Sequence, residues 1–473
     1  MHTRRFAISL WIIPSLFFGL WVGVAAAQTA GNDIQALYRA DDVFAQETAL
    51  VSFGPRVAGS PAELAAAEYI ADEMLSFGLE VETQMFGIDY FEELSPPVME
   101  RIAPSPKVYA AGIDFATMTY SGPGDVTAVV QAVDLMIPPT GGSTSGCEAA
   151  DFAGFPAGKI ALIQRGTCTF AQKAQNAEAA GAVGVIIFNE GNSPDRTGLL
   201  LGTLGGPVVG IPVVGTTFAL GAELYSFPPG TVTVHMDVDT ISEPRTSQNV
   251  IGTLVGTQPA QGIVYIGGHY DSVSVSPGAN DDASGVAAVL EAARVLAQKG
   301  HRTKATIKFI AFGAEETGLD GSLYYVTENL DEVSTKGLGM INLDMIAVGN
   351  TLQIGNIGYG LPGTGGNQLR DYTQQKATAM GMAWESFTAG ANSDHTYFEQ
   401  AGVPAVFITQ RDDPNYHTPN DTLDKIQVDT LEANGELAAA TMYDWAKNPV
   451  LRAKKAAKVK KVHVYHDKVR TIE

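Results

Sequence analysis

The sequence predicts an α/β fold: a mostly parallel central sheet flanked by helices, with a β-rich module inserted into it. Three observations lead there. Apolar strand candidates at 262–267, 305–312, 339–343 and 404–408 alternate with helical stretches, the rhythm of a parallel sheet covered on both faces. From about 125 to 238 that rhythm gives way to short β-type runs at 126–133, 159–164 and 183–188 with one Ala-rich helix, Phe170 to Ala180. The 473 residues are 45 % hydrophobic and 17 % charged, which supplies packed cores and excludes a disordered chain. With 30 Lys and Arg against 51 Asp and Glu, the net charge of −21 argues against nucleic acid or anionic lipid as a partner of the body.

Taken in order, the first element is Met1 to Ala27: Arg4-Arg5, an apolar stretch from Phe6 to Val24, then Ala25-Ala-Ala27. This reads as a secretory signal cut near Ala27, which makes the protein exported, periplasmic or extracellular. A retained anchor is the alternative reading. Pro14, Gly19 and Gly23 inside the stretch, and its small-residue end, favour cleavage and no stable membrane span thereafter. Residues 61–77 place Leu64, Ala67, Ile70, Met74 and Phe77 at helical spacing, with Ser60 as N-cap, Pro61 in the first turn and Gly78 as the stop. The alternation from Leu79 to Phe86 predicts a strand, and Ala283 to Gln298 predicts the clearest amphipathic helix. Residues 452–473 carry eight basic and two acidic side chains, a net of +6 that leaves −27 for the rest, and read as a solvated basic tail. The two cysteines, Cys147 and Cys168, are expected to form a disulfide in an oxidising compartment.

In an open parallel sheet the functional site lies beyond the carboxyl ends of the strands. The residues there are consistent in kind: His269-Tyr-Asp271, then Asn280-Asp281-Asp282, Glu315-Glu316, Asp344, and Tyr416-His417. Any one of these carboxylates alone would read as solvated surface. Together they would crowd one cleft, where repulsion is severe unless cations occupy it. Imidazole mixed with carboxylate suits zinc, and a carboxylate shared between two ions about 3.5–4 Å apart suits a co-catalytic pair.

On these motifs, with Asn342-Leu-Asp344, Ser393-Asp-His395 and Tyr416-His-Thr-Pro419 in the same order, the sequence resembles the secreted di-zinc aminopeptidases. Bacterial leucyl aminopeptidase, glutamate carboxypeptidase and the inactive transferrin receptor are relatives within that family. The resemblance covers roughly 31–120 and 240–450, including the opening Arg56-Val-Ala-Gly-Ser60. It implies His269 and Asp344 on one of two Zn2+ ions, Glu316 and His417 on the other, and Asp281 between them. It also implies Glu315 as general base, Asp271 as orienter of His269 and Tyr416 as a donor to the oxyanion. Asp394 and His395 are given supporting places outside the ligand set, and a cis peptide is expected between Asp281 and Asp282.

The middle segment resembles the protease-associated (PA) domain through Asp151-Phe152, Gly158 to Ile163, Arg165-Gly-Thr-Cys-Thr-Phe170, Asn176-Ala177 and Gly184 to Asn189. It contains both cysteines, which supports the 147–168 pairing. Arg165 and Lys173 are read as solvated surface. The expected division is a signal peptide at 1–27, a zinc peptidase domain at 28–124 and 239–451, a PA insertion at 125–238 that offers contacts to proteins or peptides, and the tail at 452–473. Function is expected to be aminopeptidase action on peptides. The alternatives are a di-zinc carboxypeptidase or dipeptidase of the glutamate carboxypeptidase type, disfavoured because Thr388 to Asn392 offers no Arg for a substrate carboxylate, and an inactive receptor-like protein. Asn420-Asp-Thr422 fits a glycosylation pattern, but a glycan three residues from His417 would crowd the site, so it is read as chance.

Overall fold

The computed structural model describes residues 34–298, 302–358, 366–410 and 412–449. The expected signal segment and basic tail lie outside the described residues. Two eight-stranded sheets organise the chain.

The first has four parallel strands at its centre, Thr306–Phe312, Ile263–His269, Gly337–Leu343 and Ala405–Thr409 in spatial order. All but Lys308 of their residues are buried, which is why they read as continuous apolar runs. Alternate side chains serve two cores. Val264, Ile266 and Ile341 pack with Ile70, Leu290, Leu437 and Trp445 on one face. Tyr265, Ile310 and Met340 pack with Tyr325 and Phe398 on the other. The helices Ala40–Val51, Pro61–Ser76, Ser284–Gln298 and Val428–Lys447 cover the first of these faces.

The helix Ser284–Gln298 begins hard against the sheet. A Cβ on Gly285 would lie 2.5 Å from the Asp282 carboxylate and 2.6 Å from the Leu343 carbonyl, so only glycine allows this approach.

Two long antiparallel strands, Glu80–Glu93 and Thr240–Leu254, lead the chain out of this sheet and back. Between them lies the second sheet, whose central strands Gly124–Ala132, Ile160–Gln164, Gly184–Phe188 and Val213–Thr216 run parallel, with cores of its own. The short strands Val98–Ala103, Lys107–Val108 and Phe115–Thr117 precede the expected boundary at 125, yet they pair within this sheet. They are too short and too mixed in polarity for periodicity to mark them. Cys147 and Cys168 form a disulfide with Cα atoms 5.7 Å apart.

The surface reading of Lys173 is overturned. It is fully buried, on the inner face of the helix Phe170–Ala179 beside Ala174 and Ala177, and its Nζ donates to the Ser145 carbonyl at 2.5 Å. A main-chain carbonyl replaces the water an ammonium group otherwise needs. Among the described residues no helix is long and apolar enough to cross a membrane.

Candidate metal centre

The carboxyl ends of the parallel strands open on a cavity of about 90 Å³. His269, Asp281, Glu315, Glu316, Asp344 and Tyr416 give it polar walls, and Met345 and Phe407 give it apolar ones. His269 ends its strand, Glu315 and Glu316 follow the strand that ends at Phe312, and Asp344 follows the strand that ends at Leu343. Asp281 sits just before the helix Ser284–Gln298, joined to Asp282 by a cis peptide bond. Ala314, Met345 and His417 have φ values of 54°, 57° and 55°, a left-handed conformation that L-residues seldom adopt and that here aims or flanks the site's side chains.

The sequence-predicted residues converge. His269 Nε2 lies 3.1 Å from Asp281 Oδ1, and 3.9 Å from both Glu315 Oε2 and Asp344 Oδ1. His417 Nε2 lies 3.2 Å from Asp281 Oδ2 and 3.1 Å from Glu316 Oε2. Asp281 thus presents one oxygen to each histidine. Side-chain donor atoms of His269, Glu315 and Asp344 fall within 4.8 Å of one another, as do those of His269, Asp281 and Glu316.

Buried side chains fix these groups from behind. The Asp271 carboxylate accepts the backbone N–H groups of Glu315 (3.0 Å) and Glu316 (3.1 Å), and one of its oxygens lies 3.4 Å from His269 Nδ1. It therefore orders two loops at once. The Asp282 carboxylate accepts the N–H groups of His269, Gly285 and Met345 at 3.2, 2.9 and 3.0 Å. Ser393 donates to Asp344 Oδ2 at 2.7 Å and accepts from Asn342 Nδ2 at 2.7 Å.

The electrostatics are those of a site built around positive charge. Burial pushes Glu315 well above the usual carboxylate range, and pushes Glu316 up to about 7. Burial opposes the charge on Asp281 too, but its two histidine neighbours hold it below the usual range. His417, which burial would lower, is raised to about 10 by Asp281 and Glu316. Among the described residues, Glu316 Oε1 is buried without a hydrogen-bond partner, and His417 Nε2 makes no aligned hydrogen bond despite its close oxygens. Converging oxygens and imidazole nitrogens of this kind could hold a metal ion, and their chemistry suits zinc.

Tyr416 lines the cavity, is 50 % exposed and stacks on the His417 ring at 3.8 Å between centroids. Asp394 and His395 are fully buried, and His395 stacks on Phe407, a wall of the cavity. Sequence reasoning missed Arg56 and Asp421 as parts of this region. Arg56 stood in the opening motif without a role, and Asp421 was hidden inside a glycosylation pattern.

Residues 249–442 match Peptidase family M28, and residues 126–224 match the PA domain. The chain is 36 % identical over 388 residues to an aminopeptidase of Pseudomonas aeruginosa (strain UCBPP-PA14), covering 81 % of this chain and 70 % of the relative. It is 34 % identical over 448 residues to aminopeptidase YwaD of Bacillus subtilis (strain 168), covering 92 % and 90 %. Among solved structures it is similar to the aminopeptidase from Aneurinibacillus sp. strain AM-1, with a TM-score of 0.63, 33 % identity, and 91 % and 98 % coverage. The zinc aminopeptidase BSAP from Bacillus subtilis gives a TM-score of 0.58, 32 % identity, and 90 % and 99 % coverage.

Proposed function

The chain belongs to peptidase family M28, and from that membership we propose that it is a secreted zinc aminopeptidase with a co-catalytic pair of zinc ions and Glu315 as general base. The observation that carries the reading is Asp281, whose two oxygens face two different histidines at 3.1 and 3.2 Å. In this reading His269 and Asp344 hold one zinc, Glu316 and His417 hold the other, and Asp281 belongs to both. Zinc bound there supplies Lewis-acid charge that acidifies a water and polarises the scissile carbonyl.

The chain's own residues do the rest. Glu315, unliganded in this reading, accepts a proton from the attacking water and delivers it to the leaving amine. Its carboxylate lines the cavity beside the proposed ligands, 3.9 Å from His269 Nε2. Asp271 holds His269 through Nδ1 and fixes the Glu315 backbone, so base and ligand keep one geometry. Tyr416, half exposed in the cavity wall, is assigned in this reading as donor to the developing oxyanion. Export rests on residues 1–27 of the sequence, and the module between the two long strands is assigned to substrate access or partner binding.

The test compares leucine p-nitroanilide with its N-acetylated form. Cleavage of the free amine alone, abolished by chelator and restored by zinc, is the expected result. Glu315→Gln is expected to retain wild-type zinc content and to lower kcat by roughly 10²–10⁴-fold. Wild-type turnover in that variant removes Glu315 from the mechanism. If neither substrate is cleaved although two zinc ions are bound, the glutamate carboxypeptidase type of activity takes its place.

A further inference from the structure

Asp421 has no role in the reading above, yet the fold gives it an unusual set of partners. It is fully buried. One carboxylate oxygen accepts the Asn280 N–H at 2.7 Å, and the other accepts the Asp281 N–H at 3.1 Å. Its main-chain carbonyl accepts the Ala279 N–H at 3.4 Å. Three successive amides of the segment that presents Asp281 therefore end on one residue. That residue stands four positions after His417, in the same loop. A single side chain ties the loop of one histidine to the carboxylate 3.2 Å from it.

The opposite polarity is satisfied from the other side. Arg56, also fully buried, donates to the carbonyls of Tyr270, Pro277 and Gly278 at 2.6, 2.7 and 2.8 Å. Asn280 adds a further tie, its Nδ2 donating to Asp413 at 3.0 Å and its Oδ1 accepting the N–H groups of Ala347 and Val348 at 2.9 and 3.2 Å. The carbonyls of Tyr270, Pro277 and Gly278 and the amides of Ala279, Asn280 and Asp281 are thus paired within the protein. The His269 and Asp344 half of the centre is braced separately, through the Asp282 carboxylate on the N–H groups of His269 and Met345.

We propose that Asp421 is a positioning residue that holds Asp281 against His417, and thereby sets the affinity of the His417–Glu316 half of the centre. The inference rests on the two-metal reading. Its physical basis is that a carboxylate capping two main-chain N–H groups fixes the backbone that carries the ligand, and partners behind metal ligands are typically worth 10–100-fold in metal affinity.

Zinc is titrated by calorimetry into the chelator-treated full chain and its Asp421→Asn variant. The amide keeps one acceptor and turns a donor toward the second N–H. The expected variant binds one zinc as wild type does and the other roughly 10–100-fold more weakly. Its kcat falls at stoichiometric zinc, recovers in excess zinc, and KM is unchanged. Asp424→Asn, at an exposed carboxylate paired with Thr422 and Lys425, leaves all of these unchanged. Two wild-type zinc affinities in Asp421→Asn, or equal weakening of both, overturn the proposal.

Hydrogen exchange on the wild-type chain keeps the question open to test if the variant does not fold. Amides of Asn280 and Asp281 that are protected without zinc support a brace made by Asp421. Amides that gain protection only on zinc addition overturn it. A wild-type chain that binds a single zinc refutes the two-metal reading, and the exchange result then decides the brace by itself.

Discussion

His395 shows how far a single side chain can be moved from its solution behaviour. Its ring is fully buried and stacks 4.8 Å from Phe407, and burial pushes its pKa down to about 3 although the Gly390 backbone partly opposes this. In the unfolded chain the same ring titrates near about 6.5. Between these values the unfolded chain binds a proton that the native chain refuses, so stability falls as pH drops from about 6.5 to 3, by up to about 1.4 kcal/mol per pH unit. His395→Phe keeps the ring and removes the proton. Urea midpoints of the metal-free chain across this range should fall less steeply in the variant, and parallel curves would assign the acid sensitivity elsewhere. Residues of this kind were only half legible. The motif Ser393-Asp-His395 marked the place, but whether its histidine is a ligand or a wall depends on which way the short helix His395–Gln400 turns, and that is a tertiary matter.

At the level of elements, local chemistry and observed structure agree closely where the local signal is strong. Ser60 caps the helix Pro61–Ser76 by accepting the Glu63 N–H, and Glu63 reaches back to the Gly59 N–H at 2.6 Å. Glu63 does more than cap: Ser247, on the strand Thr240–Leu254, donates to it at 2.5 Å, so the helix start is fastened to the sheet. Ser60→Ala should lower stability by about 1 kcal/mol, the usual worth of an N-cap, with kcat unchanged. A loss of activity at full occupancy by zinc would mean that the helix start governs the centre as well as the fold. The strands of the parallel core were legible for the same reason, because burial on both faces leaves a continuous apolar run. The edge strand Trp384–Thr388, exposed at three of its five positions, offers no such run and went unread.

At the scale of the whole molecule, the described residues form two sheets with separate cores, joined by two strands that run side by side for 14 residues. Cross-links in one unit should therefore act mainly on that unit. The disulfide joins residues 21 apart in the second unit and closes a segment that includes the strand Ile160–Gln164, and replacing both cysteines by serine should destabilise that unit by roughly 3 kcal/mol through the freed segment. Calorimetric melting should show the change in one transition, while zinc content and kcat stay at wild-type values. A changed zinc content would show that the two units share more than a junction.

By itself the sequence determined the fold class, the interruption by a second β-rich unit, and the identities of the residues that converge on the centre. It could do so because hydrophobic periodicity is local and because chemistry at strand ends recurs in order along the chain. Tertiary structure alone decided how those residues are held: the Asp281 carboxylate between two histidines, the three buried carboxylates of Asp271, Asp282 and Asp421 that each fasten separate loops, and the burial of Lys173 and His395. Each of these depends on partners far apart in the chain, up to 141 residues for Asn280 and Asp421. A polar residue carries no local mark of whether it will meet water or a main-chain amide.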